Sequence, residues 1–181
     1  MIVSAIFSGY GGQGVLLMGN VLSHGAMAKG LDLTFMPAYG SEMRGGTANC
    51  TVILSDEGPI VSPLTTEPDM LVAMNLPSVG RFGHMVKTGG LIVLNASLIN
   101  EGVTREGVDV LRVPIVELAE EVGSKRAANM VMIGAVAART GLLTASETVH
   151  GMTQAMQGKG AFHEINEKGI QRGFDFVRQS A

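Results

Sequence analysis

Residues 2–14 read IVSAIFSGYGGQG, and this stretch decides the class of fold. The apolar run at 2–7 predicts a central buried strand, and the glycines after it predict a tight turn into a helix over about 13–29. Gly30 suits the C-terminal cap of that helix, and residues 31–36 predict a second strand. The first 36 residues are therefore predicted to form one βαβ unit.

The remaining pattern predicts an α/β fold with a largely parallel sheet, flanking helices, an inserted β-hairpin and a helical C-terminal third. Residues 48–54 alternate between apolar and polar, the turn signal at 56–59 follows, and 60–62 are predicted to return as the second strand of the hairpin. Further strands are predicted at 70–74, 91–94 and 110–113, and helices at 77–86, 115–122, 127–140, 145–156 and 162–178. With 181 residues and no linker, residues 1–181 are predicted to form a single domain.

Composition excludes several classes of partner. The net charge is −3 and aromatic residues make up 4% of the chain, so neither the basic face nor the stacking side chains of a nucleic-acid binder are present. The first seven residues lack a basic leader, and the apolar stretch at 127–143 contains Arg139 and is too short for a membrane span. We therefore expect no membrane partner and a cytoplasmic location.

Candidate metal ligands and nucleophiles are scarce. Cys50 is the single cysteine, whereas a cysteine-ligated iron–sulfur cluster needs four, and its place in an alternating apolar stretch favours a buried structural role. The four histidines do not share metal-ligand spacing. The sequence therefore predicts neither a metal site nor a catalytic residue in this chain.

The first glycine loop, residues 9–14, resembles the dinucleotide fingerprint G-x-G-x-x-G. Glycines between a strand and a helix expose backbone N–H groups, which attract phosphate or carboxylate. In a dinucleotide site the ribose-binding acid stands at the end of the second strand, but Asp32 stands at the start of that strand. This disfavours a nicotinamide or flavin site without excluding it.

The second glycine loop reads YGSEMRGG over residues 39–46. The guanidinium of Arg44 suits phosphate or carboxylate, and Glu42 either orients it or forms an ion pair that braces the loop. Both loops are predicted to lie at the carboxyl edge of the sheet, where α/β proteins bind ligands. The residues predicted to contact a ligand are Gly9, Gly11, Gly12, Gln13, Gly14, Tyr39, Gly40, Ser41, Glu42, Arg44, Gly45 and Gly46.

The two loops, followed by DMLVAMN at 69–75, resemble the gamma subunit of 2-oxoacid:ferredoxin oxidoreductases, among them the 2-oxoglutarate, pyruvate and 2-oxoisovalerate enzymes. The resemblance covers nearly the whole chain and is strongest over residues 9–95. The chain departs from the family at Ser41, where proline is frequent. The beta subunit of indolepyruvate oxidoreductase is a more distant match, chiefly in the Arg-Gly-Gly part of the second loop.

The resemblance implies a subunit of an enzyme that oxidatively decarboxylates a 2-oxoacid to acyl-coenzyme A and CO₂ while ferredoxin is reduced. It implies that thiamine diphosphate, magnesium and the iron–sulfur clusters belong to alpha, beta and, where present, delta subunits. This chain would support assembly and the coenzyme A side of the active site, and the isolated chain could pair as a homodimer. The alternatives that the residues leave open are a stand-alone NAD(P)- or flavin-binding reductase and a non-catalytic nucleotide-binding module.

Overall fold

The computed structural model describes residues 1–39, 46–103, 105–157 and 160–180. Within these ranges the strands are β1 (Ile2–Tyr10), β2 (Asp32–Tyr39), β3 (Thr47–Ser55), β4 (Met70–Ala73), β5 (Leu91–Asn95) and β6 (Asp109–Val113). The α-helices of the same ranges are α1 (Val15–Ala28), α2 (Leu76–Phe82), α3 (Ile115–Glu121), α4 (Ala128–Thr140), α5 (Ala145–Ala155) and α6 (His163–Ser180).

The strands form one mixed sheet in the order β2-β3-β1-β4-β5-β6. β1, β4, β5 and β6 are parallel neighbours, whereas β3 runs antiparallel to both β1 and β2. The predicted α/β class, with a largely parallel sheet and a helical C-terminal third, is therefore confirmed. The inserted hairpin exists as well, but it is made of different strands from those expected.

The βαβ unit predicted over residues 1–36 is present, with β1 and β2 parallel in one sheet, but it is split because β3 lies between the two strands. β3 pairs with β1 from Ile2 opposite Ser55 to Tyr10 opposite Thr47, so it occupies the whole side of β1 next to which β2 would otherwise pair. β2 is left at the edge of the sheet. Pro37 lies in β2 and cannot donate a ladder hydrogen bond, which suits an edge strand.

The predicted return strand at 60–62 is wrong. The hairpin is formed by β2 and β3, and residues 56–69 follow as a run of bends without strand structure. The physical reason is that β3 already pairs on both sides, with β1 and with β2, so it has no free edge to offer a third strand.

Both faces of the sheet are buried. Phe7 of β1 packs into the larger core, which β1 and its neighbours form with α1, α3, α4, α5 and α6. The adjacent residue Ile6 points to the opposite face, where a smaller core lies beneath α2. This alternation along one strand explains why β1 is apolar throughout rather than at every second residue.

α4 and α6 approach each other closely at glycines. A Cβ atom built on Gly173 would stand 2.1 Å from the Val131 carbonyl oxygen, and one on Gly134 would stand 2.2 Å from the Ile170 carbonyl oxygen. Any larger residue at either position would force the two helix backbones apart.

Candidate functional site

The carboxyl edge of the sheet brings the first glycine loop and the end of the second, Gly46, together. β1 and β2 end at this edge, and the antiparallel β3 begins there. The N–H of Gly11 donates a hydrogen bond of 2.9 Å to the carbonyl oxygen of Gly46, which joins the first loop to the end of the second. Gly40, Ser41, Glu42, Arg44 and Gly45 lie outside the described residues, so their predicted ligand contacts remain predictions.

Gly9 belongs to β1 rather than to the turn after it. A Cβ atom at this position would stand 2.6 Å from Gln13 Oε1 and 2.8 Å from both Met74 Cβ and Val15 Cγ2. Gly9 is therefore needed for close packing beneath the loop, which is a different role from the ligand contact predicted for it.

Gly12 and Gly14 turn the chain from β1 into α1. Their φ angles are +101° and +74°, which only glycine adopts without strain. Gly14 is the N-cap of α1, and among the described residues no side chain caps this end. The first turn of α1 contains no acidic residue. This end of α1 is therefore electrostatically suited to an anionic group.

A cleft of about 460 Å³ opens beside the loop. Its walls come from the glycine loop, the first turn of α1 and the start of β3, and it is mostly apolar. The lining residues are Tyr10, Gly11, Gly12, Gly14, Val15, Leu16, Leu17, Gly46, Thr47 and Ala48. The cleft therefore combines a helix N-terminus with apolar walls, which suits a ligand that has both an anionic group and an apolar arm.

The predicted site residue Gln13 is used inside the protein. Its Oε1 accepts a hydrogen bond of 2.7 Å from the Tyr10 N–H, and its Nε2 donates one of 3.2 Å to the Met74 carbonyl oxygen. Asn75, which follows β4, also has a structural role: it caps α2, and its Oδ1 accepts from the Ser78 N–H at 3.0 Å.

Several residues that line the cleft were not predicted from the sequence. The first turn of α1 follows Gly14 directly, and this position could have predicted that Val15, Leu16 and Leu17 line the cleft. Thr47 and Ala48 line the cleft only because β3 starts at this edge of the sheet. Asn129 of α4 does not line the cleft but packs against the loop: a Cβ atom on Gly14 would stand 2.2 Å from its Nδ2, and no sequence signal pointed to this contact.

The sheet order argues against a dinucleotide site. In that fold the strand next to β1 is parallel to it and carries the ribose-binding acid at its carboxyl end. Here β3 occupies that place in antiparallel orientation, and Asp32 lies opposite Ser55 at the far end of β2. Among the described residues that line the cleft beside the loop, none carries a carboxylate.

Cys50 lies in the core between β3 and α1 and is fully buried. Burial raises the pKa of its thiol to about 12, so it does not present a thiolate at neutral pH. Among the described residues, no three His, Cys, Asp or Glu side chains are close enough to hold a metal ion. In the same part of the chain no helix is long and apolar enough to cross a bilayer.

The chain matches the pyruvate ferredoxin/flavodoxin oxidoreductase family over residues 4–176. It is 37% identical, over 175 residues, to the ketoisovalerate oxidoreductase subunit VorA of Methanothermobacter marburgensis. That alignment covers 96% of this chain but only 36% of VorA, so the chain spans about a third of the length of that relative.

Two further relatives are similar to the chain over most of their own length. The 2-oxoglutarate synthase subunit KorC of the same organism is 37% identical over 144 residues, which are 76% of this chain and 77% of KorC. The crystal structure of the keto/oxoacid ferredoxin oxidoreductase gamma subunit from Geobacter sulfurreducens PCA superposes with a TM-score of 0.83 at 27% identity, covering 98% of this chain and 99% of that one. The resemblance predicted from the order of the glycine motifs is confirmed: the chain belongs to the pyruvate ferredoxin/flavodoxin oxidoreductase family.

Proposed function

We propose that the chain is the gamma-type subunit of a multi-subunit 2-oxoacid:ferredoxin oxidoreductase. The complex converts a 2-oxoacid and coenzyme A to acyl-coenzyme A and CO₂ and passes the electrons to ferredoxin. This chain contributes to assembly and forms the coenzyme A side of the active site. The similarity of the chain to KorC and to a gamma subunit over most of their length supports its assignment as a gamma-type subunit.

The observation that carries the proposal is the cleft at the junction of the two glycine segments. The hydrogen bond from Gly11 to Gly46 places the end of the second segment beside the first at one wall of the cleft, and Gly14 sets the uncapped start of α1 beside it. Coenzyme A carries phosphates at one end and a long, weakly polar pantetheine arm. Backbone N–H groups suit the phosphates, and the side chains of Val15, Leu16 and Leu17 suit the arm.

The redox cofactors belong to the partner subunits in this proposal. The residues of this chain do not fit an iron–sulfur cluster, because its single cysteine is buried in the core with a raised thiol pKa. The chain also lacks the Gly-Asp-Gly motif with which thiamine enzymes hold magnesium and the diphosphate. Thiamine diphosphate supplies the decarboxylation chemistry where it is bound, and the part of this chain is to hold the co-substrate.

The partners are the alpha and beta subunits of the same complex, with a delta subunit where the complex has one, and ferredoxin as the electron acceptor. The region that matches this chain makes up 36% of VorA, which supports an arrangement in which such a domain packs beside further protein. Residues 1–181 act as a single domain in this assembly. A homodimer of the isolated chain would cover the surface that otherwise meets the partners.

Reconstitution tests the proposed function. The tagged chain is purified from its host, and we expect it to recover brown, thiamine-dependent partner subunits with coenzyme A-dependent oxidation of a 2-oxoacid. The chain purified alone should be colourless and inactive, and adding it back to partner subunits depleted of it should restore turnover. Bound flavin with turnover by the isolated chain, or full turnover by the depleted partners, would refute the proposal.

Arg44 is the one cation among the predicted ligand-contact residues. If it contacts a coenzyme A phosphate, Arg44→Ala raises the Michaelis constant for coenzyme A by about tenfold or more, because a charge-assisted hydrogen bond contributes about 1.5–3 kcal/mol. Arg44→Lys should restore part of the loss by keeping the charge. If assembly and the Michaelis constant are both unchanged in Arg44→Ala, the role proposed for Arg44 is wrong.

A further inference from the structure

A network of amides, buried at Asn75 and Asn95 and half-buried at Gln13, lies beneath the glycine loop and joins three neighbouring strands of the sheet. At its centre is the carbonyl oxygen of Met74, the residue that follows β4. This oxygen accepts a hydrogen bond of 3.2 Å from Gln13 Nε2 and one of 3.1 Å from Asn95 Nδ2. Gln13 follows β1 and Asn95 ends β5, so one oxygen links the ends of β1, β4 and β5.

The Gln13 side chain also closes the glycine loop on itself. Its Oε1 accepts from the Tyr10 N–H at 2.7 Å and from Asn75 Nδ2 at 3.4 Å, which uses both lone pairs of that oxygen. The backbone N–H of Gln13 in turn donates to the Tyr10 carbonyl oxygen at 3.1 Å. The conformation of the loop between Tyr10 and Gly14 is therefore tied to the position of Met74.

The amides of the network are held from their other side as well. Asn95 is 1% exposed, and its Oδ1 accepts from the Ser97 N–H at 3.2 Å. Asn75 is 5% exposed, and its Oδ1 accepts from both the N–H and the hydroxyl of Ser78. Buried amides that lose a partner pay the full cost of desolvation, so the satisfied arrangement is strongly preferred over others.

We propose that Gln13 and Asn95 are positioning residues for the cleft. Through the shared Met74 carbonyl they hold the glycine loop in the one conformation that aims its N–H groups and the first turn of α1 at the ligand. Gln13 then acts on coenzyme A through the loop rather than by touching it, and Asn95 acts from β5. The identity of the ligand rests on the proposed function, whereas the coupling from β5 to the loop does not.

Amide-resolved hydrogen exchange of the isolated 18.9 kDa chain tests this coupling. Asn95→Asp keeps the acceptor for the Ser97 N–H but turns the donor that faces Met74 into a second acceptor. We expect exchange at the Tyr10, Gly11 and Gln13 amides to become about tenfold faster or more, because loss of a buried hydrogen bond lowers the free energy of local opening. If Asn95→Asp does not fold, the uncharged Asn95→Ser serves for the same measurement.

Asn166→Asp is the matched control. Asn166 is also buried, at 5% exposed, and its Nδ2 donates to Met156 Sδ at 3.3 Å in a different part of the chain. The control makes the same chemical change without touching the network, so it should leave the exchange of the loop amides as in the unmodified chain. Loop exchange that stays within about twofold of the unmodified chain in the Asn95 variant, or that rises equally in both variants, overturns the proposal.

Steady-state kinetics of the complex separates positioning from a merely structural role. Gln13→Met has a similar length but no amide, and we expect it to raise the Michaelis constant for coenzyme A about tenfold while kcat at saturation is unchanged. A structural role would lower kcat through fewer active complexes and leave the Michaelis constant unchanged, which would overturn the proposal. If the unmodified complex shows no coenzyme A-dependent turnover, the proposed function fails, and the exchange experiment alone decides the coupling.

Discussion

Replacing Gly173 by alanine puts a methyl group against the backbone of a neighbouring helix. The new Cβ atom on α6 would stand 2.1 Å from the Val131 carbonyl oxygen and 2.7 Å from the Ala135 nitrogen of α4. Ordinary van der Waals contact begins at 3.4 Å, so the two helices must separate by about 1.3 Å at this point. Because both obstructing atoms are backbone atoms, rotation of a side chain cannot relieve the clash.

The size of the effect follows from two opposing contributions. Overpacking of this kind costs about 3 kcal/mol, the upper end of the usual range, because the fully buried face of α4 moves as a unit. Alanine is a better helix former than glycine by about 1 kcal/mol, which offsets part of the loss. The expected net loss in the free energy of unfolding is therefore about 2 kcal/mol.

Urea unfolding followed by circular dichroism at the helix band measures this difference. The matched control is Gly80→Ala, also inside a helix, where no described heavy atom beyond the chain neighbours and the helix's own backbone lies within 4 Å of the new Cβ. The control should gain about 0.5–1 kcal/mol, so the two variants should shift in opposite directions. A Gly173→Ala chain as stable as the unmodified one, or a Gly80→Ala chain that loses as much, would refute the packing argument.

Two further predictions concern titratable groups. The Cys50 thiol, with its pKa raised to about 12 by burial, should resist a disulfide reagent at pH 8 in the native chain and react promptly in urea; prompt native labelling would contradict its burial. Because folding raises the pKa of the Cys50 thiol, the stabilisation from burying the neutral thiol should be fully present below the ordinary thiol pKa of about 8.5. It should be lost as pH rises towards 12. Burial raises the pKa of Asp69, but the Lys87 ammonium and the N–H and hydroxyl of Ser4 lower it more, so the net pKa lies below its ordinary value. The ionised Asp69 therefore stabilises the fold above its unfolded pKa of about 3.9, and this stabilisation is lost as pH falls through the folded pKa. Asp69→Asn should consequently be less stable than the unmodified chain at pH 7, and the difference in the free energy of unfolding should close in acid. Urea unfolding at several pH values checks this, and a gap that does not change with pH would contradict it.

The local elements of the fold were predictable because they depend on short-range pattern. The apolar run that became β1 and the glycine-capped helix after it were placed correctly, although β1 continues through Gly9 to Tyr10. Strand order was not predictable in this way, since it depends on pairing between distant residues. The antiparallel insertion of β3 beside β1 has one local trace, Pro37 in β2, which favours an edge position.

In the candidate site, too, local features were predictable from the sequence and contacts between distant residues were not. That the two glycine segments meet at one edge followed from strand polarity, and the hydrogen bond between Gly11 and Gly46 agrees with it. The role of Gln13 could not be foreseen, because its partner Met74 is 61 residues away along the chain. The same holds for Thr47, which lines the cleft only because β3 begins beside the loop.

If the cleft beside the glycine loop takes coenzyme A, a change inside the cleft should weaken binding more than an equal change elsewhere, and two matched glycine variants make this comparison. Gly12 and Gly58 have φ angles of +101° and +109°, and at neither does a described heavy atom beyond the glycine and its chain neighbours lie within 4 Å of the place that a new methyl group would take. Alanine at either site therefore costs a similar backbone strain of about 1–3 kcal/mol, but only Gly12 lines the cleft.

The measurement is the Michaelis constant for coenzyme A in the reconstituted complex. We expect a rise of about tenfold for Gly12→Ala and a change within about twofold for Gly58→Ala. Equal Michaelis constants in the two variants would contradict it.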